Sequence, residues 1–297
     1  MHEIVLIIGL FLMLVFLPLI LPFAELFLKK DAKPIPIDIK RRKEPDYFGK
    51  SFMNILTTAS NDLKIQEVEK LNPVCLNLKL SREEWVCFLN DESLLEKTVD
   101  MPIVFTKDVI FMQNHTFRRE LAVLGNAVFK NACVIRSLYV KGDCVIDAPI
   151  RIARWVHVEG TLIVNSYADL GVSVYTREIK INSRATFKRA YAQKIETLNG
   201  RLINKKNNDA NLQENFGSKV PIIINGNIFR DDDIEIEGDV WIKGNVFSQK
   251  NVILKNGVVV GEEGKVKSVV ARDKMLIKGP FRIYGYLHSE DGVEVSV

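Results

Sequence analysis

The stretch Ile234-Glu-Ile236-Glu-Gly238-Asp-Val240-Trp-Ile242-Lys-Gly244 places an apolar or small residue at every second position. Alternation of this kind gives a strand one inward and one outward face. The fold is decided by its recurrence. Gly226, Gly244, Gly261 and Gly279 lie 18, 17 and 18 residues apart, with Ile224, Ile242, Val259 and Ile277 two residues before them. Asn227, Asn245, Glu262 and Pro280 follow, and most of these are turn formers. Upstream, Gly125, Gly142 and Gly160 repeat the register at spacings of 17 and 18, after Val123, Val140 and Val158 and before Asn126, Asp143 and Thr161. So short a period cannot hold two packed helices, and the leucine-rich pattern is absent. It fits one coil of a parallel β-helix, three short strands and three turns, with coils stacked about 4.8 Å apart. Equivalent inward residues then form ladders, and glycine is expected to give the corner its backbone freedom.

Working outward from that stretch, the anchors predict about nine coils and a rod of about 40 Å. The step from Gly160 to Ser183 is too long and predicts a bulged loop around Asn165 to Val174. The step from Gly200 to Gly226 predicts a polar insertion near 204–218, where Asn204-Lys-Lys-Asn-Asn-Asp begins. The β-helix is expected over 107–297. Residues 52–106 lack the period and read as a small mixed segment packed on the first coils. Within it Val74, Leu76, Leu78 and Leu80 alternate like a strand, while Ser81 to Leu89 fits a capped helix or a strand equally.

Ile4 to Ala24 carries no charge. As a helix those residues span about 31 Å, one hydrocarbon thickness. No basic residue precedes the run and no small-residue cleavage site follows, so residues 1–30 read as an uncleaved anchor. Lys29, Lys30, Lys33, Lys40, Arg41, Arg42 and Lys43 follow it closely. They predict a single-pass protein of the inner membrane with its N-terminus outside and its β-helix in the cytoplasm. Lys29, Lys30, Lys40, Arg41, Arg42 and Lys43 are also candidates for contact with anionic headgroups of the lipid bilayer. Residues 31–51, with Pro34, Pro36 and Pro45, read as a juxtamembrane linker.

The net charge of +4 belongs to that flank. Elsewhere 34 of the 41 basic residues face 35 of the 37 acidic ones, so no basic surface for nucleic acid is implied. Cys75, Cys87, Cys133 and Cys144 have no metal-ligand spacing, and neither a disulfide framework nor a metal is expected. Cys144 takes an inward strand position. His115, His157 and His288 are isolated in sequence; alternation turns His157 outward, towards solvent. Asp231-Asp232-Asp233 reads as a solvated turn. No phosphate loop, dinucleotide fingerprint or nucleophile elbow appears, so no nucleotide, no cofactor and no catalytic residue is assigned.

The chain is still in strand pattern at Val293-Glu-Val295-Ser-Val297. A terminal coil without a cap exposes core side chains and unpaired backbone. Phe281, Ile283, Tyr284, Tyr286, Val293 and Val295 are therefore the candidate surface for self-association.

The runs Val123 to Asp143, Ile224-Asn-Gly226-Asn and Ile242-Lys-Gly244-Asn-Val resemble the bactofilins, bacterial polymer-forming cytoskeletal proteins, over roughly Leu121 to Val297. The resemblance implies a right-handed β-helix that polymerises end to end without nucleotide, at the cytoplasmic membrane. It implies a scaffold for envelope or morphogenetic proteins that shape the cell. Two other classes stay open. One is a membrane-tethered adaptor that binds partners on the β-helix side without polymerising. The other is a hexapeptide-repeat acyltransferase, which calls for a sustained six-residue step that holds here only locally.

Overall fold

The computed structural model describes residues 44–61, 74–79, 83–197 and 221–296. The chain divides at Glu44 into two units, and the second, Pro45–Val297, holds all the secondary structure described. Its described residues form one helix, α1 (Tyr47–Asn61), a 3-10 turn at Glu92–Leu94, and 24 strands in a single sheet. The sheet is wound into a parallel β-solenoid of about ten turns. No helix among the described residues is long and apolar enough to cross a membrane, and the expected anchor at 4–24 lies outside those residues. So does the expected insertion near 204–218.

The ladders form where the glycine register places them. Val123 pairs with Val140, Val140 with Val158, and Ile224 with Ile242, every one turned inward. Each buried Val or Ile stabilises the fold by about 1.5–3 kcal/mol relative to exposure. In the first coils phenylalanine fills the bore: Phe105, Phe111, Phe117 and Phe129 are fully buried, and the Phe111 and Phe129 rings stack at 4.6 Å. Farther along, Val, Ile and Ala take over the same columns.

Several finer readings are corrected. Glycine at 125, 142 and 160 is not in the left-handed region. It is required because consecutive turns nearly touch: a Cβ on Gly142 would lie 2.9 Å from the Gly125 carbonyl oxygen. The next residue then bonds from coil to coil. Asp108 Oδ1 accepts the Asn126 N–H at 2.7 Å, Asn126 Oδ1 that of Asp143 at 2.8 Å, and Asp143 Oδ1 that of Thr161 at 2.7 Å. The coils after residue 221 repeat this from Asn227 to Asn245 to Ser268.

No surplus loop exists at Asn165 to Val174. Ile150 pairs with Ala168, Trp155 with Ser173 and Leu162 with Ile179, so the ordinary step continues. The extra length lies at Gly261–Val266 instead, because Val246 pairs with Val269 and Val258 with Phe281. Gly279 is therefore a different corner from Gly261, and the ladder partner of Ile242 is Val260, not Val259. The solenoid also begins ahead of residue 107, at β3 (Thr98–Val99). Residues 47–51, read as linker, are helical, and 83–89 form a strand, β2 (Glu83–Leu89), paired antiparallel with β1 (Val74–Lys79).

The order of the coils could not be foreseen from the period. Six run from β3 to β14 (Ala185–Glu196), and four from β15 (Ile222–Ile224) to β24 (Phe281–Ser296). The two stacks meet at their last coils. β14 and β24 pair antiparallel, Ala185 with Val295, Tyr191 with Tyr286 and Ile195 with Ile283, so all three faces continue across the junction.

Candidate assembly surfaces

The residues expected to meet a second molecule meet the chain itself. Phe281, Ile283, Val293 and Val295 point into the bore and are buried; Tyr284 and Tyr286 are half-buried on the outside. The backbone edge of β24 is taken by β14, and Arg282 reinforces the contact through Glu196 at 2.8 Å. The reading of this coil as an uncapped end is thus overturned. Its strand pattern was right, but the partner edge lies 84 residues upstream, too far for any periodicity to reveal.

Among the described residues the open edge is elsewhere. There, coil Ile222–Ile236 pairs on one side alone, with Val240–Leu254. Ile222, whose counterpart Val240 is buried, is 65 % exposed, and Phe229 is 62 % exposed. Ile224, Ile228 and Ile236 are half-buried at positions where the next coil has fully buried residues. A Cβ on Gly226 would meet nothing within 4 Å, whereas one on Gly244 would overlap Gly226. The signal was present in sequence as Ile222-Ile-Ile224 beside a polar stretch, but repeat logic does not say which coil is last. Phe229 and Phe247 also line a groove of ≈ 440 Å³ with Val270 and His288.

The opposite end is closed. Glu92, 8 % exposed, accepts the Met112 and Gln113 N–H groups at 2.7 and 2.8 Å, and lies 2.9 Å from His115 Nε2. His115 Nδ1 meets the Glu96 carbonyl oxygen at 3.0 Å, so both ring nitrogens are engaged. The neighbouring Cys133 is free, and burial pushes its thiol up to about 11. This trio closes a coil end and presents neither a free base nor a thiolate.

His157 does point away from the bore, as alternation requires, but it is not solvated. Helix α1 covers it. Gly49, Phe52, Met53 and Leu56 share one side of α1 at helical spacing. Leu56, Phe52 and Met53 pack on Val86, Phe88, Val104, Ala122 and Tyr139. Phe52 meets Trp155 at 6.0 Å. The same outer column runs on as Tyr139, His157, Tyr175 and Tyr191, stacked at 5.2, 4.7 and 5.6 Å.

Cys144 is buried and free as expected. Cys87 is disulfide-bonded, against expectation, and the hairpin register sets Cys75 opposite it. Asp232 pairs with Lys250 at 2.7 Å and Asp233 Oδ1 accepts the Asn251 N–H at 3.1 Å, which places both in a turn. Lys29, Lys30, Lys40, Arg41, Arg42 and Lys43 lie outside the described residues. No family model, curated protein or solved structure matches this chain. The fold and the surfaces above therefore stand on their own geometry.

Proposed function

We propose that the chain is a membrane-anchored, non-enzymatic scaffold of the bactofilin type that associates through its open coil and arranges partner proteins at a bilayer. The observation that carries this reading is the exposed Ile222–Ile236 edge, with Ile222 and Phe229 uncovered. Such an edge is a template for another strand, and the same coil of a second copy supplies one through a self-complementary two-fold contact. The β14–β24 junction demonstrates the chemistry, since there two coil ends close on each other antiparallel. With Glu92 and β2 covering strands of the first coil at the other end, pairing through the Ile222–Ile236 edge gives a dimeric rod of right-handed coils and no filament.

Ile4 to Ala24 anchors the rod in the inner membrane, and Lys29, Lys30, Lys40, Arg41, Arg42 and Lys43 hold the β-helix on the cytoplasmic side. Its partner there is an envelope or morphogenetic protein, and no nucleotide takes part. Cys87 favours a second reading of the topology, because disulfides persist in oxidising compartments. In that reading the β-helix lies outside the cytoplasm.

Sedimentation velocity of the full chain in detergent tests the association. The wild type is expected as dimers, and the Ile222→Lys, Ile228→Lys double variant as monomers. A wild type that is monomeric at tens of micromolar removes self-assembly and leaves the adaptor. A reporter fused after Val297, active only in the cytoplasm, decides between the two topologies.

A further inference from the structure

At Gly49 the backbone of α1 lies against the solenoid. A Cβ there would overlap Nδ1, Cγ and Cβ of His157, so the helix backbone rests directly on the imidazole. The ring is 3 % exposed and lies between the rings of Tyr139 and Tyr175. Its Nδ1 is buried and has no hydrogen-bond partner. This environment suits a neutral ring with Nδ1 unprotonated. A proton on Nδ1 would create a buried charged donor at an atom that has no hydrogen-bond partner in this packing. Lifting α1 hydrates it.

We infer that His157 is a proton-operated latch whose protonation releases α1 and uncovers the apolar strip of Phe88, Val104, Ala122 and Tyr139.

The groups facing the ring do not undo this. Glu159, on the same strand, accepts the Tyr139 hydroxyl at 2.5 Å. From the α1 side come Asp46 and Lys50, which are paired with each other. The phenols of Tyr139 and Tyr175 stack above and below. Burial is the largest influence and holds the imidazole below the ordinary histidine range; Glu159 and Asp46 pull it up, and Lys50 pushes it further down. The docked ring therefore binds a proton less readily than the released ring. Above about pH 6.5 both forms are neutral and α1 stays down. As pH falls through that value towards the lowered one, the equilibrium moves towards release by up to about tenfold per unit. Below the lowered value it moves no further.

Hydrogen exchange of residues 47–57 in the full chain, read against His157→Phe at the same pH, tests the latch. Protection of α1 in the wild type should fall relative to that variant between pH 7 and 5, by up to about tenfold per pH unit. Equal protection in the two chains at both pH values overturns the proposal. Asp46→Asn should keep the wild-type response, and loss of the response in that variant would transfer the switch to Asp46. If His157→Phe does not fold, imidazole titration by NMR in the wild type decides. His157 must titrate together with the loss of α1 protection, and titration at about pH 6.5 with α1 still protected overturns the latch. Gly49→Ala, which wedges the helix off the ring, should expose α1 at every pH while the strands stay protected.

Discussion

The two outer ends of the solenoid share one strand pattern and finish differently. At the first end a short 3-10 turn folds back, and the Glu92 carboxylate satisfies two N–H groups that the next coil would otherwise have taken. At the other end nothing comparable among the described residues meets Ile222–Ile236, and isoleucines that match core positions stand open. The contrast shows that a repeat specifies how coils stack, while a single carboxylate outside the repeat decides whether a stack ends or can continue.

Five substitutions break or sharpen that contrast. Ile242 lies one coil inside the open edge and is fully buried, so Ile242→Asp strands a charge in the bore. It is expected to cost more than about 4 kcal/mol in thermal or denaturant unfolding. Its outward neighbour Lys243, over the Trp241 ring at 4.8 Å, is the control: Lys243→Asp should cost less than about 1 kcal/mol. Equal losses would mean the faces are wrongly assigned.

Glu92→Ala reopens the closed end, leaving the Met112 and Gln113 N–H groups and His115 without their acceptor. A loss of about 2–4 kcal/mol is expected, and sedimentation velocity should show new oligomers if closure is what stops growth there. Asn245→Ala removes the acceptor of the Ser268 N–H, held at 2.9 Å, and should cost about 1 kcal/mol in the same unfolding assay. The smallest effect on stability belongs to the open edge itself. Ile222→Lys should change unfolding by less than about 0.5 kcal/mol while weakening association, because this side chain is already in water.

The ladders were legible because inward residues repeat at the coil period, as Val123, Val140 and Val158 do. What a coil corner demands was legible only in part. The glycines at 125, 142 and 160 could be seen, but their cause, close stacking with an Asn or Asp bonding to the next turn, needs the neighbouring coil. Gly279 misled because an 18-residue spacing can arise from two different corners separated by a loop. His157 was placed on the correct face and given the wrong surroundings. The amphipathic helix that covers it begins in a stretch whose prolines and charges read as linker. The junction left no trace in the sequence, since Ala190 and Leu287 are ordinary inward residues that happen to meet.

That junction sets a problem of timing during synthesis. Phe281 follows Thr197 by 84 residues, a delay of roughly 4–17 s at about 5–20 residues per second. Through that interval the six finished coils end in β14, a 12-residue strand whose backbone edge awaits its partner. Ribosomes that stall before Phe281 would release a molecule that is folded yet adhesive, and a neighbouring nascent chain carries the same bare edge. The last sixteen-residue strand, β24, thus acts as a built-in chaperone for the coils made before it. Shortening the protein from that side should yield aggregates long before it yields an unfolded chain.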